Sequence, residues 1–364
     1  MTKDINILTS EAALLLKEII AIPSTSFNED EVCSHLCKWM SSNGIVYQRK
    51  GNNIITRLSE QNEVDKEAFV NKPTLMLCAH IDTVEPSKEY TFDPYTPDYE
   101  HLPEGMIAGL GSNDDGASVV SMIATFRHFM EAGANTDILL VLTCEEERSG
   151  ANGMTGLWNE LKDEVDMAIV GEPTGMKAAI SERGLLVIDG TVHGISGHAA
   201  RNEGKNALYI ALEDIDKLRN HSFEKVSPRM GKVNLNVTQI NAGTAHNVIP
   251  DRCSFVVDIR PNEMYDNEEI LNQLQQICQS ELKARNLTNR SSATYEGSLL
   301  LKTIEEAGVE TFSSPTTSDW MRISCDAIKM GPGDSSRSHR KDEFVFIGEI
   351  DNAISTYINL IERL

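Results

Sequence analysis

Nowhere does the sequence run for the roughly 18 uninterrupted apolar residues that a membrane-crossing helix requires. It also lacks CxxC pairs, and its seven cysteines are an odd number spread along a long chain. That usage excludes a disulfide framework and points to reduced thiols in a reducing compartment. Cys33 and Cys37, four residues apart on an expected helix, read as packing. Basic residues are scarce: 33 Lys and Arg face 55 Asp and Glu, a formal net charge of −22. A nucleic acid or an anionic membrane as main partner would demand a basic face, so both are excluded. Divalent cations would be attracted, whereas an anionic small molecule would need a local arginine. The start, MTKDINILTSE, has no apolar core behind a basic segment, so no secretory signal is expected and the cytoplasm is the expected location.

A length of 364 residues with 40% hydrophobic content suggests about two domains with ample core. Thr9 or Ser10 is expected to cap a first helix running through Ile20, and a second should cover about Glu29 to Ser42. Leu75 to Asp82 reads LMLCAHID, a short apolar strand that ends in a histidine and a carboxylate two residues apart. Side chains at i and i+2 of an extended chain point the same way, so His80 and Asp82 should emerge together. Asp137 to Thr143 (DILLVLT) is a continuous apolar run typical of a strand covered on both faces, and it ends in Cys144, Glu145, Glu146 and Glu147. A third strand, Met167 to Val170, ends in Gly171, Glu172 and Pro173. Strands separated by helices and ending in polar residues predict a parallel α/β sheet with its site at the carboxyl edge.

From about Glu182 the pattern changes to β-α-β-β-α-β, the ferredoxin-like split βαβ arrangement of a small α+β domain. Short strands then resume, leading through GPGDSSRSH to a last helix from about Gly348. The expected organisation is a domain of residues 1–181 and 292–364 with residues 182–291 inserted into it.

Taken singly, each polar strand end has an ordinary reading. Glu145 to Glu147 could be a solvated loop, Asp114 and Asp115 helix caps, Glu172 a turn residue and His339 a surface histidine. Together, His80, Asp114, the pair Glu145 and Glu146, Glu172 and His339 form the ligand set of two borderline metals such as zinc, with one carboxylate able to bridge. Asp82 could fix the His80 tautomer. Of Glu145 and Glu146, one could bind metal and the other act as general base on a shared water.

These residues lie in motifs that resemble the co-catalytic zinc aminoacyl hydrolases, the family of acetylornithine deacetylase, succinyl-diaminopimelate desuccinylase and the glutamate carboxypeptidases. The motifs are AHIDTV (79–84), GLGSNDDGA (109–117), EEERSG (145–150), GEPT (171–174) and GPGDSSRSH (331–339). Gly116 and Ala117 depart from the lysine and glycine common in that family. The resemblance implies a mostly parallel-sheet zinc hydrolase domain with an inserted lid and dimerisation domain, two Zn2+ per chain (Co2+ or Mn2+ as substitutes) and a homodimer. It implies that Asp114 bridges, that His80 and Glu172 complete one ion's set and Glu146 and His339 the other's, and that Glu145 is the base. His198, in SGHAARNEGKNA, matches the histidine that reaches the partner subunit's site and stabilises an oxyanion. His246, Asn247 and Arg260 match a segment that approaches substrate, with Arg183, Arg322 and Arg337 as competing carboxylate anchors. The implied reaction is hydrolysis of a small N-acyl amino acid. N-acetylornithine or an N-acetylcitrulline type, in arginine biosynthesis, is favoured over a succinylated substrate or a dipeptide.

Overall fold

The computed structural model describes residues 4–61, 66–96, 102–201 and 203–364. The chain divides into two compact units, one of Met1–Ile180, Thr294–Phe312 and Ser318–Leu364, the other of Ser181–Ala293 and Ser313–Thr317.

In the first unit the apolar runs become the centre of a mixed sheet. Asn53–Arg57, Asp137–Thr143, Thr74–His80, Met167–Val170 and Asp326–Lys329 lie side by side in that order. The last four are mutually parallel and Asn53–Arg57 is antiparallel to Asp137–Thr143. Every residue of Thr74–His80 and of Asp137–Thr143 is buried, as an all-apolar run between two covered faces requires. One face is covered by Ile5–Ile20, Gly116–Ala132 and Ile347–Ile361, whose leucines, isoleucines and Phe126 join the largest core cluster. The other face packs on Met154–Leu161 and on Trp320, which is 1% exposed.

The first helix starts earlier than Thr9 or Ser10. Asp4 is its cap, its side chain accepting from Asn6 N, while Thr9 donates its hydroxyl to Asp351 instead. Asp4 precedes a residue run without strong helical periodicity, so the sequence pattern placed the start one turn late.

The second unit contains a four-stranded antiparallel sheet in the order Asn234–Ala242, Arg252–Arg260, Leu186–His193, Glu281–Ala284. Helices Ala207–Asn220 and Asn267–Ile277 cover it and enclose a separate core around Leu186, Ile188, Phe255, Ile270 and Leu274. Asn234–Ala242 is the sheet edge and is largely exposed, Ile240 at 48%. None of the described helices is long and apolar enough to cross a membrane.

Candidate metal centre

Each central strand of the first unit delivers its polar end to the same place. His80 closes its strand at 3% exposure. Its Nδ1 lies 2.9 Å from the Asp82 carbonyl and 3.5 Å from the Asp82 carboxylate, and its Nε2 lies 3.2 Å from Asp114 Oδ1. Asp82 thus holds one ring nitrogen and turns the other toward Asp114. Asp114 precedes the helix Gly116–Ala132, and its second oxygen, Oδ2, lies 3.7 Å from His339 Nε2. A single carboxylate therefore spans two histidines, the geometry expected of a bridge. Asp115 does not share this place, because its Oδ2 turns back toward the His80 peptide nitrogen.

The glutamates after Asp137–Thr143 are arranged differently from the expected pattern. Glu145 adopts a left-handed conformation, φ 60°, before the short 3-10 turn Glu146–Arg148. That twist sends its side chain away from the histidines, where its oxygens accept from Asn152 N at 3.0 Å and Asn152 Nδ2 at 2.6 Å. Gly150 makes the room, since a Cβ there would fall 2.1 Å from Glu145 Oε2. The two following glutamates face inward. Glu147 Oε1 lies 2.9 Å from His339 Nε2, and Glu147 groups with His80 and Asp114. Glu146 groups with His80 and Glu172. Within each trio one ligand atom from each residue lies within 4.8 Å of the others. The expected partner of His339, Glu146, is replaced by Glu147, and the expected base, Glu145, belongs to neither trio. Three successive glutamates carry no internal phase marker, so the residue at which the backbone turns cannot be read from their order.

Two buried carboxylates pin this turn by its backbone. Glu145 N donates to Glu29 Oε1 (3.1 Å), while Glu146 N and Glu147 N donate to the two oxygens of Asp82 (3.0 and 3.2 Å). Ser26 donates its hydroxyl to Asp82 at 2.6 Å. Burial opposes the Asp82 charge, but His80, Ser26 and the Glu146 amide hold its carboxyl below the usual range. The sequence reading missed Glu29, Ser26 and Glu147; only Glu147, inside a motif, offered a signal.

Burial pushes Glu146 well above the ordinary carboxylate range, with His80 opposing the shift and Glu172 adding to it, and burial with Asp114 does the same to Glu172. Its hydrogen bond to the Glu147 carboxylate raises His339 to about 9. Burial disfavours charge on His80, yet Asp114 and Asp82 outweigh it and raise its pKa well above 6.5. Crowded carboxylates that compete for protons are ligands suited to cations. Imidazole nitrogens with carboxylate oxygens fit zinc, cobalt or manganese.

The remaining candidates lie in the second unit. A short pair joins Gly197–His198 to Val248–Ile249, and Ala199 N donates to the Asn247 carbonyl, which keeps His198 close to Asn247. His198, His246 and Asn247 are exposed. His198 Nδ1 accepts from Ala200 N, leaving the proton on Nε2, where it can be donated outward. Arg260 is engaged by both oxygens of Asp258 at 2.9 and 3.2 Å, which weakens its claim to a substrate carboxylate. Of the competing arginines, Arg183 donates to the Lys232 and Arg260 carbonyls and Arg337 to Glu349.

Residues 180–286 match the peptidase dimerisation domain, and residues 53–176 match peptidase family M28. The M20 metallo-carboxypeptidase Sso-CP2 of Sulfolobus solfataricus aligns with 97% of this chain and 98% of its own at a TM-score of 0.75 and 16% identity. The fold is that of the M20 peptidases. A Bacillus subtilis protein, YXEP, described as a dinuclear metal-binding peptidase of that family, covers 98% of both chains at a TM-score of 0.73 and 16% identity. In sequence, the chain is 24% identical over 383 residues to a succinyl-diaminopimelate desuccinylase of Pelagibacter ubique, covering 96% of this chain and 97% of that protein. It is 26% identical over 376 residues to a probable carboxypeptidase of Aspergillus clavatus, covering 95% and 87%. The chain is thus similar in fold to M20 peptidases and in sequence to desuccinylases and probable carboxypeptidases. Proximity to acetylornithine deacetylase rests on the motif residues alone.

Proposed function

We propose that the protein is a two-metal amidohydrolase that removes the acyl group from a small N-acyl amino acid. The observation that carries this reading is Asp114 set between His80 and His339, with Glu147 grouped with His80 and Asp114, and Glu146 and Glu172 grouped with His80. His80, Asp114 and Glu172 would hold one zinc ion, and Asp114, Glu147 and His339 the other. When bound, such a pair supplies an acidified water and a polarised substrate carbonyl. Glu146, beside His80 and Glu172, would take the proton from such a water and deliver it to the departing amine. Asp82 keeps His80 in one tautomer and, through the Glu146 amide, aims the base. His198, contributed across a homodimer, donates its Nε2 proton to the oxyanion. The dimerisation-domain match and the exposed edge strand Asn234–Ala242 support that homodimer.

N-acetylornithine is the substrate favoured by the GPGDSSRSH segment, with an N-acetylcitrulline type beside it. An N-succinyl amino acid such as succinyl-diaminopimelate is favoured by the desuccinylase relative, and a peptide substrate, of which a dipeptide is the smallest, by the carboxypeptidase relative. The test is a panel of N-acetyl and N-succinyl ornithine, citrulline and diaminopimelate with several dipeptides, assayed with added zinc, alongside a metal count per chain. Hydrolysis within this panel with two ions per chain is the expected result. One ion per chain, or no turnover of any member, would overturn the reading.

A further inference from the structure

His80 is locked in a strand, but His339 is not. It sits in a loop with its side chain 55% exposed, and its own backbone is left-handed at φ 58°. Apart from its 2.9 Å contact with Glu147, its position relative to Asp114 depends on contacts between the loop Gly109–Asp114 and the segment that runs from Gly331 to Glu343. Two buried side chains make those contacts in opposite directions. From the second segment, Glu343 is 2% exposed and its carboxylate accepts three peptide N–H groups of the first: Asn113 and Asp114 at 2.8 Å on Oε1, Gly111 at 3.1 Å on Oε2. Its carbonyl accepts Gly109 N at 2.9 Å. From the first segment, Asn113 is fully buried and its amide brackets the second. Oδ1 accepts from Asp334 N at 2.9 Å, and Nδ2 donates to the Asp334 carbonyl and to Ser338 Oγ, the residue before His339. Gly333 is shaped to this contact, since a Cβ there would lie 2.2 Å from Asn113 Oδ1. Neither side chain joins a ligand trio.

The geometry points to Asn113 and Glu343 as a reciprocal clamp: positioning residues that set the distance from Asp114 to His339 and so create the ion position shared by Asp114, Glu147 and His339. The inference rests on the two-ion reading above and deepens it. The clamp acts unequally on the two positions. His80 and Glu172 stand at the ends of strands and keep their places without it, whereas His339 and the Asp114 backbone do not. Partners of this kind characteristically change metal affinity by roughly 10–100-fold.

The experiment is titration of zinc into chelator-treated protein against a chromophoric competitor, on wild type, Glu343→Gln and Asn113→Ala, with thermal unfolding of each metal-free form as a control. Glu343→Gln is isosteric, yet either orientation of its amide turns an NH2 group toward a peptide N–H. Asn113→Ala releases the clamp from the other side and covers the case in which one variant fails to fold. The wild type is expected to take up two ions. Both variants should bind the ion shared with His339 roughly 10–100-fold more weakly, with a smaller loss at the position of His80 and Glu172, where Asp114 alone depends on the clamp. Two wild-type affinities in the variants, or an equal loss at both positions, would overturn the clamp while leaving the two-ion reading intact. Fewer than two ions in the wild type would overturn the two-ion reading itself.

Discussion

At the scale of single residues, the centre depends on which of three adjacent glutamates does what. Glu146 lies with His80 and Glu172, and Glu145 is tied to Asn152. Glu146→Gln should therefore cut kcat by about 10²–10⁴-fold with metal retained. Glu145→Gln should leave most turnover in place. Steady-state kinetics with metal analysis of both variants checks this, and the reverse ranking would return the base to Glu145. A second residue-scale prediction concerns Asp214 in the other unit. Its buried carboxylate accepts from Gln279 N, Ser280 N, Ser280 Oγ and Lys217 Nζ at 2.6–2.9 Å, pinning the turn after Asn267–Ile277. Burial opposes its ionisation, but the bonds from Ser280 and Lys217 win and hold it below 3.8. Asp214→Ala should cost about 2–3 kcal/mol of stability at neutral pH. A folded pKa below the unfolded one gives stability that is fully present above about 3.8 and lost as pH falls through the folded value. The wild-type advantage should therefore shrink in acid, as urea unfolding at pH 7 and pH 3 would show.

At the scale of elements, the strands were legible and the turns were not. LMLCAH, DILLVLT and MAIV are apolar runs whose burial on both faces leaves few other places for them, so their polar ends are legible in the sequence alone. The site's composition was legible for the same reason, and Asp114 could be placed by its offset from Gly109 and Gly111. What periodicity cannot convey is a left-handed residue such as Glu145, or a distant carboxylate that takes a turn's amides. Glu29 is the instance here. It is fully buried, lies 116 positions from Glu145, and accepts from both Glu145 N and Phe27 N. Removing it in Glu29→Ala orphans the first amide of the turn that aims Glu146 and Glu147. Misplacement of this size should lower kcat about 10- to 100-fold with little change in KM. A rise in KM with kcat intact would show instead that Glu29 supports substrate contacts.

For the whole molecule, the deciding facts are an excess of negative charge and two cores that share no residue. The formal charge is −22, and the first unit concentrates Asp82, Asp114, Glu146, Glu147 and Glu172 around two histidines. Bound cations relieve that crowding only in the folded state, and at 100 times their dissociation constant they stabilise by about 2.7 kcal/mol per site. The second unit has its own cluster around Phe255 and Leu274, with its candidate residues on an exposed hairpin and strand and no part in the ligand trios. Units with separate cores are able to unfold separately. Calorimetry with and without chelator should then resolve two transitions, of which only the one belonging to the first unit moves down when metal is withdrawn. A single transition that shifts as a whole would mean that the two units unfold as one cooperative body and that metal stabilises both.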